Sequence, residues 1–160
     1  HLQVLSDKTG SLIATSAQFG AMFAGCDEPT IDTVTRYGER IGVAFQLADD
    51  LVDLTSDSVD SGKTPGTDLK EGVPTLAGLI VLRDAAAEDA RLADLLTRPL
   101  DEAEVGEALT LLRGHDAVAR ARQVARQWAD DARECLEPLP AGAARDALAA
   151  VCDYVVDRTG

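Results

Sequence analysis

The chain has 160 residues, 46% hydrophobic and 27% charged, a composition that suits a globular domain with a sizeable core. Its 28 acidic and 15 basic residues give a formal charge of −13, which opposes broad contact with nucleic-acid phosphates or an anionic membrane surface. Any anionic ligand must be met by locally placed cations.

Cys26, Cys135 and Cys152 are far apart and fit neither a disulfide framework nor a zinc site, so they read as buried free thiols in a reducing compartment. Charges break every apolar run well before the roughly 20 residues a membrane span needs, and no signal-like segment opens the sequence. The reading is a soluble, cytoplasmic protein. The chain starts at His1, directly in amphipathic sequence, as a fragment would.

Aromatic residues make up 4% of the chain and Ala, Leu, Arg, Asp and Glu dominate, so an all-helical fold is expected over a single domain, residues 1–160. The first helix is placed at about 2–24. Leu5, Leu12, Phe19 and Phe23 recur near helical spacing, and Gly10, Ala14, Ala17 and Ala21 permit close packing. After "GCDEP" a second helix is expected from near Thr30 to about Ser56, followed by a Gly- and Pro-containing polar loop. Shorter helices follow, to about Ala87, over 88–97, from about Asp101 to Arg113, from Asp116 to Leu136, and from about Ala141 to Arg158. In the helix from Asp116, Val118, Ala121, Ala125, Trp128, Ala132 and Cys135 alternate steps of three and four, which puts Trp128 in the core.

The second helix carries "FQLADDLVDLTSD", with Asp49, Asp50, Asp53 and Asp57 sharing one face. Each like-charge neighbour costs roughly 0.2–0.5 kcal/mol even in solvent. Because Ile41, Val43, Ala44, Leu47, Ala48, Leu51 and Leu54 demand burial around them, these carboxylates must find protons or cations. Grouped hard oxygens suit Mg²⁺, which keeps several waters and takes one or two carboxylates beside substrate phosphates; taken alone, the cluster fits a solvated acidic face equally well. If the first two helices form an antiparallel hairpin turning near Glu28, Lys8 and Asp49 both lie about 30 Å from the turn. Gln46 is one turn below Asp50, and Lys63 in the Gly-rich loop adds a second cation. Together they describe a pocket for a Mg²⁺-bridged diphosphate.

Three linked segments, "DKTGSLIATSAQFGAMFAG", "YGERIGVAFQLADDLVD" and "GKTPGTDLKEGVPTL", resemble the trans-isoprenyl diphosphate synthases of the polyprenyl synthetase family, in wording most like the bacterial long-chain type. The resemblance implies a helical bundle of the isoprenoid synthase type and a prenyltransferase. Such an enzyme condenses an allylic diphosphate with isopentenyl diphosphate, using Mg²⁺, and works as a homodimer. It also implies that Asp49, Asp50 and Asp53 are metal ligands, that Lys8 and Lys63 hold the allylic diphosphate, and that Thr9 and Gln46 lie near the developing cation, with Phe45 packed beside the site. Asp68 would tie the loop to the metal's water shell, and Asp57 would be solvated. The family's first Asp-rich motif and its isopentenyl diphosphate residues have no counterpart here, so the chain corresponds to the C-terminal half of such an enzyme and is expected to be inactive alone.

Two other readings compete. A non-catalytic partner subunit of a heteromeric synthase would have little use for the retained carboxylates and lysines. A terpene cyclase also ionises a prenyl diphosphate, but the FQ-x-x-DD-x-x-D and GK-x-x-x-DL combination points away from it. Arg113, His115, Arg120, Arg122 and Arg126 wind round their helix among acids and read as solvated surface, not a nucleic-acid face, with His115 at a helix start.

Overall fold

A computed structural model describes residues 1–55, 65–84 and 86–158. Among the described residues every regular element is helical, as the composition predicts. The chain divides into two compact units: Leu2–Ala48 with Val124–Arg158, here the hairpin unit, and His1 with Asp49–Gln123, here the acidic unit.

In the hairpin unit a short helix α1 (Leu2–Leu5) runs through a π-helical turn, Ser6–Gly10, into α2 (Ser11–Phe23). The connection to α3 (Glu28–Thr55) needs Gly25 at φ 74°, a left-handed conformation that glycine adopts without Cβ strain. The third helix starts two residues earlier than the sequence suggests. Asp27 takes the N-cap, its carboxylate accepting from the Thr30 amide at 3.0 Å, and Pro29 sits in the first turn, where a missing N–H costs nothing.

The face that α2 presents to α3 is the small-residue one. A Cβ on Gly38 would lie 2.8 Å from Ala14 Cα and 2.9 Å from the Ile13 carbonyl, and one on Gly42 would lie 2.9 Å from Gly10 Cα. Backbone therefore rests on backbone. Consequently Leu12, Phe19 and Phe23, expected to pack inward, are 66%, 51% and 90% exposed, while Leu5 and Ala21 are buried.

The rest of this unit's core joins Tyr37, Ile41, Ala44 and Ala48 of α3 to residues further along the chain. These are Ala129, Ala132 and Leu136, in or just beyond α8 (Asp116–Cys135), and Cys152 and Val155 of α9 (Ala143–Asp157); α4 to α7, which lie between α3 and α8, are given below. Trp128 packs against this cluster but is only partly buried. The expectation of three buried thiols holds for Cys152 alone: Cys135 is half-buried, and Cys26 is exposed because it lies in the connection after α2.

In the acidic unit, the end of α3 is followed by α4 (Thr67–Glu71), α5 (Leu76–Asp84), a 3₁₀ turn at Ala87–Asp89, α6 (Ala90–Leu95) and α7 (Glu102–Arg113). The five-residue α4, which the sequence left as loop, is bounded by Gly66 at φ 78° and Gly72 at φ 69°. Asp101 caps α7 by a reciprocal capping box with Glu104. Leu51, Leu54, Leu69, Val81, Leu95, Leu112 and Ala121 are buried in this unit. Of the basic side chains read as solvated, Arg113 and Arg126 are exposed, as expected, and Arg120 and Arg122 are half-buried. Arg113 donates from Nε to the Leu54 carbonyl at 2.7 Å, and Arg120 pairs with Asp84. His115 does stand at the start of α8, its Nδ1 accepting from the Ala117 amide at 3.0 Å.

Candidate functional site

In the acidic unit, Asp49, Asp50 and Asp53 are half-buried on the last turns of α3, between the fully buried Ala48, Leu51 and Leu54. The Asp53 carbonyl accepts from the Gly66 amide at 3.2 Å. Its carboxylate faces the Asp68 amide at 3.5 Å, so the start of α4 is held against the acidic end of α3. Asp68 is pushed up to about 6, first by burial and then by the charges of Asp50, Asp53 and Asp49, with Glu71 last. Four carboxylates thus share one region of raised negative potential. Among the described residues no three such side chains converge tightly enough to hold an ion by themselves.

The resemblance puts Asp68 at the metal's water shell, and the sequence assigns His1 no role. The structure brings both to the carboxylates: His1 Nε2 lies 3.7 Å from Asp50 Oδ2, with both side chains nearly withdrawn from solvent. No sequence spacing signals this His1 contact. For Asp68 the available signal was a Gly-Thr-Asp helix start shortly after the acidic helix.

In the hairpin unit, Lys8 and Thr9 occupy the π-helical turn. A π turn carries one residue more per turn than an α-helix and re-aims the side chains on it; such turns are frequent at functional sites. It occurs where Gly10 is pressed against α3, so that a Cβ there would meet the Glu39 carbonyl at 3.1 Å. The Thr9 hydroxyl donates to Gln46 Oε1 at 3.1 Å, joining the first helix to α3 as in the expected hairpin. Ser6 anchors the same turn by donating to Glu39 at 2.9 Å. Lys8 is exposed. Phe45 is 40% exposed, and the Arg158 guanidinium lies 4.9 Å from its ring centroid, a cation–π stack. Lys63 and Asp57 lie outside the described residues.

Among the described residues the chain is all-helical, with grouped carboxylates at the end of one helix and a Lys-Thr turn beside that helix's Gln. The chain belongs to the polyprenyl synthetase family, whose model matches residues 1–112. It is 48% identical over 161 residues to a nonaprenyl diphosphate synthase of Mycobacterium tuberculosis, covering 100% of this chain and 48% of that protein. It is 40% identical to a dimethylallyltranstransferase of the same organism, covering 98% of this chain and 47% of that one. The fold superimposes on a geranylgeranyl pyrophosphate synthase from Corynebacterium glutamicum, solved with calcium and isoprenyl diphosphate. The TM-score is 0.90 at 36% identity, over 99% of this chain and 50% of that one. The chain therefore spans about half the length of the relatives it matches. The family and fold class expected from the three motifs are those found. Among the described residues no helix is long and apolar enough to cross a membrane.

Proposed function

We propose that this chain carries the metal–diphosphate residues of a trans-prenyltransferase, which extends an allylic diphosphate head to tail with isopentenyl diphosphate to make a polyprenyl diphosphate. The observation that carries the reading is the gathering of Asp49, Asp50 and Asp53 around Asp68, on a chain whose relatives include a nonaprenyl diphosphate synthase and a dimethylallyltranstransferase. The donor set fits magnesium. Its oxygens are hard, and the charges of Asp50, Asp53 and Asp49 already crowd Asp68. The calcium and isoprenyl diphosphate held by the C. glutamicum synthase support the same assignment.

Bound magnesium would supply Lewis-acid stabilisation of the charge on the departing pyrophosphate. Asp49, Asp50 and Asp53 would hold it, while Lys8 and Lys63 bind the allylic diphosphate as point charges. The allylic C–O bond breaks, and its electron pair leaves with pyrophosphate. The isopentenyl double bond supplies the pair for the new C–C bond, which leaves a tertiary cation, and the carbon beside that cation then gives a proton to the released pyrophosphate to restore an alkene. Thr9 and Gln46 orient their oxygen dipoles toward the transient cation, and their mutual hydrogen bond fixes that orientation before substrate arrives. Phe45 adds an apolar wall beside them. The enzyme in this reading is cytoplasmic and homodimeric.

The test uses the 160-residue chain and the natural protein at its full length, each assayed for Mg²⁺-dependent incorporation of labelled isopentenyl diphosphate into farnesyl diphosphate. Products of increasing length, reduced roughly 100-fold or more by Asp49→Ala, are expected from the full-length protein. Turnover that survives both Asp49→Ala and removal of Mg²⁺ would refute the assignment.

A further inference from the structure

In the acidic unit, Nε2 of His1 is shielded from solvent and makes no hydrogen bond among the described residues. A buried ring nitrogen without a partner is costly, and so such atoms are rare and call for a physical reason. Asp50 Oδ2 lies 3.7 Å away, with 13% of the His1 and 12% of the Asp50 side chain exposed. That separation exceeds the upper limit of an N–H···O bond by about 0.5 Å. A small rotation of either side chain closes it. The charges also settle where the proton sits. Two lone pairs facing each other repel, so a carboxylate at this distance selects an imidazole that carries hydrogen on Nε2. His1 therefore aims a donor at Oδ2. The other acids show why such a donor matters. Asp53 is held from the backbone, its carbonyl accepting from the Gly66 amide at 3.2 Å and its carboxylate facing the Asp68 amide at 3.5 Å. At Asp50, three residues earlier on the same face, the donor comes instead from a side chain.

We propose that His1 is the positioning residue for Asp50, its Nε2–H holding Oδ2 and leaving Oδ1 to serve the metal. The inference rests on the reading of Asp49, Asp50 and Asp53 as magnesium ligands and adds a residue to that reading. His1 itself touches neither metal nor substrate. A carboxylate tied at one oxygen has less freedom to lose when the other ligates, so the ion is held more tightly. Donors that orient metal ligands in this way contribute roughly 10–100-fold in metal affinity. An imidazole suits the place because it supplies a hydrogen without adding to the negative charge that already crowds Asp68.

The test uses the natural protein at its full length and reads the metal directly, by titrating Mn²⁺ without substrate and following the free ion by electron paramagnetic resonance. His1→Phe keeps a ring and removes the donor. His1→Gln carries an amide nitrogen to about the reach of Nε2, and His1→Asn stops short of it. Mn²⁺ binding should weaken roughly tenfold or more in His1→Phe and His1→Asn, and stay within about threefold of the parent in His1→Gln. With Asp50→Ala already present, His1→Phe should have no further effect, because the oxygen it positions is gone. Should His1→Phe lose its thermal transition, the contrast between Asn and Gln decides alone. Unchanged Mn²⁺ affinity in His1→Phe, a loss in His1→Gln as large as in His1→Asn, or an undiminished effect on top of Asp50→Ala would overturn the positioning role. Asp49→Ala separates the two levels of the reading. If it leaves Mn²⁺ binding intact, the metal assignment itself fails; if it abolishes binding while His1→Phe changes nothing, His1 alone is struck out.

Discussion

Gly38→Ala is the sharpest test of how the Lys-Thr turn is held. The new Cβ would lie 2.8 Å from Ala14 Cα, 2.9 Å from the Ile13 carbonyl oxygen and 3.0 Å from the Ala14 amide nitrogen. Carbon atoms rest at about 3.5–4.0 Å, so the shortfall is roughly 0.7 Å or more against backbone that no rotamer change can move. Alanine gains about 0.5–1 kcal/mol over glycine in a helix interior, and overpacking costs about 1–3 kcal/mol, the upper end applying where backbone must yield. The net effect is a loss of about 1–2 kcal/mol, or roughly 2–8 °C in Tm for a chain of this size. Gly20→Ala is the matched control, because nothing lies within 4 Å of its Cβ position in α2. It should raise Tm by about 1–4 °C. Thermal and urea unfolding of both variants beside the parent decide the matter. A Gly38→Ala chain as stable as the parent, or a Gly20→Ala chain that loses stability, would refute the claim that backbone contact sets the α2–α3 spacing.

Asp101→Ala should cost about 1 kcal/mol in urea unfolding by removing the α7 cap, with Asp101→Asn retaining most of it; equal losses would contradict a capping role. Hydrogen bonding from Arg98 holds the Glu104 carboxyl down to about 2 from 4.5. Its contribution is therefore complete above about pH 4.5 and is lost as pH falls toward 2, so the advantage of the parent over Glu104→Gln should shrink across that window; a constant difference in urea midpoint would tell against the pair. In the prenyl-transfer assay, Asp53→Asn should raise the Mg²⁺ concentration needed for half-maximal rate by roughly tenfold, and EDTA should abolish incorporation. An unchanged Mg²⁺ requirement would remove Asp53 from the ligand set.

Helix boundaries were legible where a residue type has a single physical use. Asp101 marks a cap, Asp116 opens α8 directly after His115, and the Gly-containing connection after α2 ends that helix, so the observed Glu28–Thr55, Glu102–Arg113 and Asp116–Cys135 fall within about two residues of expectation. The element that escaped, Thr67–Glu71, is five residues long and polar between two glycines, too short for a 3.6-residue period to register. The inward face of α2 was read from its large residues, yet the small ones decide it. Gly10 and Ala14 meet Gly42 and Gly38, and that contact turns Leu12 and Phe23 outward.

The candidate site divides along the same physical line. Helical spacing alone groups Asp49, Asp50 and Asp53, whereas Thr9 entered only through the family resemblance, and its bond to Gln46 is a finding of the structure. What the spacing could not supply is the change of helical pitch under Lys8 and Thr9. A π turn depends on how tightly α2 is pressed to α3, which is a property of two segments more than twenty residues apart. The same limit hid Asp68, whose standing as a fourth carboxylate depends on Gly66 bonding back to the Asp53 carbonyl across residues with no helical relation to it. Replacing Gly66 should therefore disturb the acidic cluster without touching a carboxylate. Its φ of 78° strains any side chain, and a Cβ there would sit 2.8 Å from Val105 Cγ1. The geometry of the acids thus depends on the packing of α7 as well as on the helix that carries them.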